Sequence, residues 1–161
     1  EVLGEGHFAA VLRRKGEEEA AGDGCPGQKL PKEWEAFAKE LDIHLPEGKA
    51  IAFGQSLYWA PADLPELWGL KVERPGLELG LLKKNRFEPA HALALWLKTC
   101  GRVLELAPES SETEAYMSGN VLPTDKKGWC LVKCGGYSIG WGKGDGNMLK
   151  NHYPKGLRKN L

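Results

Sequence analysis

The sequence predicts an α+β protein in which a small mixed α/β region precedes a strand-rich region of the kind that forms a small β-barrel. Three observations predict this class: an apolar helical period after Pro31, strand-like segments separated by turn residues in the middle of the chain, and strand patterns over roughly the last sixty residues. The 161 residues fit one domain of ordinary size or two small ones.

The amino-terminal part is predicted to hold a short strand, a linker and one helix. Residues 8–15 have strand character, and residues 16–28 are rich in Gly, Glu and Ala without apolar periodicity, which is typical of an exposed linker. Pro31 opens a helix, because its missing N–H is not needed in the first turn. We expect this helix to end at Pro46 and Gly48. Its apolar face is predicted from Trp34, Phe37, Ala38 and Leu41.

The middle of the chain alternates strand signals with turn residues and ends in a helix. Strands are predicted at residues 50–53, 56–59, 70–74 and 77–81. A short apolar helix is predicted over residues 91–98, with Gly101 as a plausible residue to follow its end.

The last third reads as strands with one inserted helix. A strand at 103–106 precedes a helix that Ser110 or Ser111 caps and that runs through Tyr116. Strands at 129–134 and 137–141 flank two glycines, which predicts a tight hairpin. Residues 148–153 are expected to be extended.

The charges are unevenly distributed although the chain is formally neutral. Residues 1–125 carry 14 basic and 21 acidic side chains, a net charge of −7, whereas residues 126–161 carry eight basic side chains and one acid, a net charge of +7. Such asymmetry indicates either an anionic partner for the basic tail or a solvated basic terminus, and charge alone does not separate the two.

Two glycine-rich patterns resemble nucleotide-binding motifs only superficially. Residues 4–9 match G-x-G-x-x-A, but they lack the preceding strand and following helix that a dinucleotide site needs. Residues 140–146 contain one lysine but lack the spacing of a phosphate-binding loop and its following Ser or Thr. This second segment is expected to be a flexible hairpin tip, or alternatively a backbone that approaches a phosphate or base closely.

The sequence predicts neither a catalytic site nor a metal site. The cysteines at 25, 100, 130 and 134 are expected to be reduced, in a cytoplasmic setting. Cys130 and Cys134 lack zinc-motif spacing and have apolar neighbours, so they read as core residues. No apolar run approaches the ~20 residues that cross a bilayer, so no membrane partner is expected.

Interleaved cations, amides and rings instead predict RNA binding, because cations engage phosphates and rings stack on exposed bases. The predicted RNA-binding residues in the tail are Lys143, Lys150, Asn151, His152, Tyr153, Lys155 and Arg158. A second basic cluster consists of Lys83, Lys84 and Arg86. Two alternatives stay open: Tyr153 as a core residue, and the two lysines as residues that keep an edge strand soluble.

Three segments resemble one enzyme family. Residues 86–95 read RFEPAHALAL; residues 140–143 read GWGK and are followed by LKNHYPKGLR at 149–158; residues 6–14 read GHFAAVLRR. They resemble segments of bacterial RsmF-like RNA cytosine-C5 methyltransferases of the Nol/Nop/Sun family, and along the chain they occur in the same order as in that family. His7 stands where that family more commonly has Phe.

The resemblance implies a domain arrangement. Residues 1–16 would end the methyltransferase core, 17–29 would be a linker, 30–101 an intermediate C-terminal domain, and 102–161 a PUA-like RNA-binding domain. The S-adenosylmethionine site and two catalytic cysteines would lie in an upstream domain. No catalytic residue is carried over. Cys25-Pro26 reverses the order of the family's Pro-Cys motif, and Thr99-Cys100 is followed by Gly-Arg after a predicted helix, which does not match the family's catalytic loop.

The resemblance therefore implies a fragment that binds RNA, expected to be rRNA, and positions it for the chain's own N-terminal methyltransferase domain. The fragment itself would need no cofactor. The alternative is a structural module that docks on the catalytic domain without touching RNA.

Overall fold

The computed structural model describes residues 24–158. The strand predicted at 8–15, the resemblance at 6–14, and the linker as far as residue 23 lie outside the described residues.

The described chain folds into two sheets and three α-helices. The first sheet contains β1 (Lys49–Phe53), β2 (Ser56–Ala60), β3 (Leu77–Lys83) and β4 (Arg86–Pro89). The second contains β5 (Val103–Leu106), β6 (Leu122–Pro123), β7 (Lys127–Cys134), β8 (Tyr137–Asp145) and β9 (Met148–Asn151). The helices are α1 (Lys32–Glu40), α2 (His91–Trp96) and α3 (Ser111–Met117), and a 3₁₀ turn follows at Lys155–Leu157. The α+β class is thus confirmed. Within residues 24–158, no helix has both the length and the apolar character needed to cross a membrane.

The first sheet is an antiparallel meander in the order β1-β2-β3-β4. Pro31 precedes α1 as predicted, but the helix ends at Glu40, with Leu41 as its C-cap, because Asp42 takes a left-handed conformation (φ 51°). The end predicted at Pro46 and Gly48 was therefore wrong. The strand predicted at 70–74 was also wrong: β2 pairs directly with β3, and the segment 70–74 between them is mostly exposed and joins neither sheet.

The second sheet has the order β5-β7-β8-β9-β6 and curls into a half-barrel. The predicted hairpin is confirmed between β7 and β8. Helix α3 packs on one face of this sheet, where its Tyr116 shares a core with Cys130 and Val132. Its N-cap is Ser110, whose Oγ accepts a hydrogen bond from the Thr113 N–H at 3.2 Å. Helix α2 lies on the other face of the sheet, between β3 and β8, and ends at Trp96, before the predicted end at Lys98.

Strand β7 is buried on both faces because the two halves of the molecule share a core. Trp129 and Leu131 face one cluster, and Cys130 and Val132 face the other. The first cluster, the junction core, consists of Trp34, Phe37, Leu41, Ile43, Ala50, Leu57, Leu79, Phe87, Leu93, Ala94, Leu97, Trp129, Leu131 and Trp141. The second, the barrel core, consists of Leu106, Tyr116, Leu122, Cys130, Val132 and Leu149. The half-barrel therefore packs on the first sheet region through the face that carries Trp129, Leu131 and Trp141.

The glycine-rich segment 140–146 is not a hairpin tip, because residues as far as Asp145 belong to β8. Its glycines make room for neighbours. A Cβ at Gly142 would overlap the Leu149 side chain, and one at Gly144 would overlap the Lys126 carbonyl oxygen. Close packing within the half-barrel accounts for both glycines.

Gly144→Ala should therefore lower the free energy of unfolding by about 1–3 kcal/mol, since the new methyl group meets backbone that cannot move aside. Gly156→Ala is the matched control, because that site has open space. Urea unfolding of both variants measures the difference. Equal stability of the two variants would contradict this account of the glycine.

Candidate nucleic-acid interface

A row of three side chains lies on neighbouring strands of the half-barrel, running from the edge of the junction core into solvent. Trp129 on β7 pairs with Lys143 on β8, and Lys143 pairs with Lys150 on β9. The Lys143 Nζ lies 5.6 Å from the centroid of the Trp129 ring, within cation–π range. Both lysines are exposed, and like charges on directly opposed strand positions repel each other. An anion placed between them would relieve that repulsion.

This row borders a cleft of about 490 Å³, the junction cleft, at the meeting point of the two sheet regions. The cleft is lined by residues of helix α1, the β3–β4 turn, strand β4 and strands β7 to β9. The cationic lining residues are Arg86, Lys143 and Lys150, joined by His152. Both basic clusters predicted from the sequence therefore contribute side chains to one cleft.

The junction cleft is also lined by three acidic residues, Glu33 and Glu40 from α1 and Glu88 from β4. Arg102 donates to Glu40 at 2.8 Å and to the Trp129 carbonyl oxygen at 2.9 Å, which ties α1 to β7. Lys83 donates to Glu88 at 2.6 Å.

The Lys83 hydrogen bond holds the pKa of the Glu88 carboxyl below its usual value, with the Lys83 charge acting in the same direction and partial burial opposing it. Glu88 is therefore ionised at neutral pH. Because the Lys83 ammonium group already forms an ion pair with the Glu88 carboxylate, Lys83 is less available to bind RNA than Arg86.

His152 forms part of the inner lining. Its ring packs edge-on against Trp129 with the centroids 4.4 Å apart. Burial lowers the pKa of His152, and the charges of Lys150 and Lys143 add to that effect, while Glu88 opposes it. The imidazole is therefore neutral at pH 7.

Acidification should destabilise the fold through this histidine. A pKa held below 6.5 in the folded state means that the unfolded chain binds the proton first. The contribution of neutral His152 to the free energy of unfolding is fully present above pH 6.5 and is lost as the pH falls below that value. Ring proton shifts followed by NMR should give a midpoint below 6.5 for His152. His152→Gln should reduce the dependence of Tm on pH over that range, with His91, whose pKa burial also lowers, accounting for part of what remains. A midpoint at or above 6.5 would contradict the burial argument.

Three of the predicted residues are engaged in holding the fold. The Asn151 amide donates to the carbonyl oxygens of Tyr116 and Asn120, each at 2.8 Å, and its Oδ1 accepts from the Tyr153 N–H at 2.7 Å. Arg158 donates to the Tyr153 carbonyl oxygen at 3.2 Å. These contacts fix the end of α3 and the tail. They give Asn151, Tyr153 and Arg158 structural partners, and their contact with RNA stays a prediction.

Tyr153 is half-buried against two rings, as its core alternative requires. Its centroid lies 5.5 Å from that of Tyr116 and 5.6 Å from that of His91. Lys84 lies in the exposed β3–β4 turn and Lys155 in the exposed 3₁₀ turn, and neither lines the junction cleft.

Sequence reasoning missed Trp129, Glu33 and Glu40 as members of the site. The acids lie on α1, about a hundred residues before the basic row, and nothing in their local pattern links them to it. For Trp129 a signal did exist: it follows Lys126 and Lys127 at the start of a predicted strand.

The cysteines among residues 24–158 have ordinary structural surroundings. Cys130 is fully buried in the barrel core, and burial raises the pKa of its thiol. The Cys100 thiol donates to the Arg102 carbonyl oxygen at 3.2 Å, and Cys134 lies 3.8 Å from the Thr113 hydroxyl. In this part of the chain, no group of three or more His, Cys, Asp or Glu side chains is placed to hold a metal ion.

Two family models match the chain. Residues 36–97 match the RsmF rRNA methyltransferase first C-terminal domain, and residues 103–159 match the methyltransferase RsmF PUA domain. The first match covers most of the first sheet region, and the second covers the half-barrel. The PUA-like expectation for the carboxyl-terminal part is confirmed, while the exact domain limits drawn from the sequence stay a prediction.

Curated relatives agree with these matches. The chain is 30% identical to the ribosomal RNA small subunit methyltransferase F of Vibrio parahaemolyticus, over 95% of the chain and 36% of the relative. It is 28% identical to the protein of that name from Shewanella oneidensis and 30% identical to that from Photobacterium profundum, each over 76% of the chain and 27% of the relative. The chain thus spans between about a quarter and somewhat over a third of the length of these relatives.

Proposed function

The chain is an RsmF-like C-terminal region, with the first C-terminal domain followed by the PUA domain, and from this premise we propose that it binds RNA and positions it for methylation. The RNA would be ribosomal, as the names of the relatives suggest. The parent protein would transfer a methyl group from S-adenosylmethionine to C5 of a cytosine. We assign that chemistry to a methyltransferase domain of the parent and give residues 24–158 no catalytic role.

The observation that carries this proposal is the convergence of cations at the junction cleft. Arg86 belongs to the segment matching the first C-terminal domain, and Lys143 and Lys150 belong to the segment matching the PUA domain. The shared junction core fixes these segments against each other, so the three charges form one preorganised surface. Backbone contacts of this kind set the register of an RNA without reading its sequence.

Positioning has a direct energetic use in base methylation. Extracting a base from structured RNA costs a few kcal/mol, and contacts remote from the reacting base can offset that cost. A rigid surface that holds the backbone also fixes the orientation of the target relative to the catalytic groups.

Fluorescence anisotropy of a labelled single-stranded RNA with the purified chain tests the proposal. The logarithm of the association constant should fall linearly with the logarithm of the salt concentration, with a slope of about −0.7 for each phosphate neutralised. Binding that does not respond to salt, or absence of binding, would contradict it.

A second candidate function, docking on the methyltransferase domain of the parent, is favoured by an apolar groove of about 660 Å³. Trp68 is 89% exposed and Leu70 is 66% exposed beside it, and the groove is lined further by Phe53, Tyr58 and Leu67. Apolar surface gathered in this way marks contact sites for other protein surfaces. The groove and the junction cleft share no lining residues, so both functions can coexist.

In the intact parent polypeptide, Trp68→Ser should weaken the contact between the two domains and make the segment that connects them more sensitive to limited proteolysis, while leaving RNA affinity unchanged. Unaltered proteolysis would contradict the docking function.

A further inference from the structure

Besides its backbone-binding cations, the junction cleft has the size and mixed lining of a small-molecule site. Its volume of about 490 Å³ lies within the roughly 300–1,000 Å³ typical of such sites. Its walls are rigid, because Phe37 and Trp129 belong to the junction core. A double helix is far too wide to enter, whereas a single nucleotide fits.

The mixed charges of the cleft suit the two ends of a nucleotide. Arg86, Lys143 and Lys150, from β4, β8 and β9, offer cations to a phosphate. The same cleft is lined by carboxylates, of which Glu33 and Glu40 come from α1, and these would repel a backbone lying along the whole cleft. Carboxylates do, however, accept hydrogen bonds from the exocyclic amino groups of nucleobases.

Glu33 is the carboxylate best placed for such a contact. It is half-buried, lines the cleft, and forms no ion pair with any residue of the described range 24–158. Glu40 and Glu88, in contrast, are held by Arg102 and Lys83. The position of Glu33 in the first turn of α1 favours its negative charge.

We infer that the junction cleft binds one unpaired nucleotide of the RNA, with its phosphate on Lys143 and Lys150 and the amino group of its base on Glu33. This inference rests on the proposed RNA-binding function and adds a preference to it. Unpaired nucleotides with an exocyclic amino group bind better than uridine, and single strands bind better than duplexes. In a duplex the Watson–Crick edge is already occupied.

The test compares two RNAs that differ only in the relevant group. Twelve-residue cytidine-only and uridine-only strands have the same phosphates and sugars, but cytosine has an amino group where uracil has a carbonyl oxygen. Anisotropy at pH 7.5 should show the cytidine strand binding about tenfold more tightly, the range expected for a well-formed base contact. A twelve-base-pair duplex should bind more weakly than the cytidine strand.

Glu33→Gln should abolish the ratio between the two strands, because an amide both accepts and donates hydrogen bonds. Glu47→Gln removes the same charge from an exposed site outside the cleft and should leave the ratio intact. Equal affinity for the two strands, a ratio unchanged in Glu33→Gln, or duplex binding as tight as that of the cytidine strand would overturn the inference while leaving RNA binding in place. If none of these RNAs binds, the result would contradict the proposed RNA-binding function as well.

Discussion

Trp141→Ala should lower the free energy of unfolding by about 3–5 kcal/mol, the range for deleting a large buried aromatic side chain. Trp141 is 1% exposed and joins the two sheet regions. Its ring packs edge-on against Phe37 of α1 with centroids 5.8 Å apart, its Nε1 donates to the Ala90 carbonyl oxygen at 2.9 Å, and its own carbonyl oxygen accepts from the Tyr116 hydroxyl at 2.9 Å. Since domains are only marginally stable, such a loss is a large fraction of the total.

The matched control for this variant is Trp68→Ala, which removes the same side chain from an 89% exposed position. Urea unfolding monitored by far-ultraviolet circular dichroism and by tryptophan fluorescence should give coincident transitions, strongly shifted in Trp141→Ala and almost unshifted in Trp68→Ala. A loss below about 1 kcal/mol for Trp141→Ala, or two separate transitions in the unsubstituted chain, would show that the two regions do not share a core in the way the structure indicates.

The double variant Lys143→Gln, Lys150→Gln should bind single-stranded RNA about 5- to 25-fold more weakly at 0.1 M salt, because each lost phosphate contact removes about 0.7 from the salt dependence. The slope of log affinity against log salt should become shallower by about 0.7 when the two lysines share one phosphate and by about 1.4 when each contacts its own. Both side chains are exposed, so the fold should be retained.

Lys71→Gln combined with Lys98→Gln makes the same change in net charge at exposed positions that do not line the junction cleft. This control should keep nearly full affinity and an almost unchanged slope. If it loses as much affinity as the cleft variant, general charge rather than the cleft drives binding.

Much of the fold could be predicted from local patterns. The helical period after Pro31, the Ser110 cap and the glycine pair between β7 and β8 each depend on neighbouring residues alone, and each is present in the structure. The strand expected at 70–74 is absent from the structure. Its apolar content favours a strand locally, but a strand also needs a neighbouring strand to pair with, and that depends on the tertiary fold. The length of β8 was underestimated because its glycines suggested a turn, whereas they serve close packing.

The candidate site was predictable in its cations but not in its shape. Composition pointed to Arg86, Lys143 and Lys150, yet only the shared junction core brings them to one cleft. Composition equally pointed to Asn151, whose amide the structure uses to hold the end of α3. A polar side chain in a basic segment is thus ambiguous until its hydrogen-bond partners are known.

Chemical-shift mapping of the ¹⁵N-labelled chain with single-stranded RNA tests the central claim most directly, because it reports every backbone amide at once. We expect the largest changes in amide chemical shift around the junction cleft, at Arg86, Gly128, Trp129, Lys143, Lys150 and His152. Shifts confined to the tail after residue 153, or centred on the groove around Trp68, would contradict it.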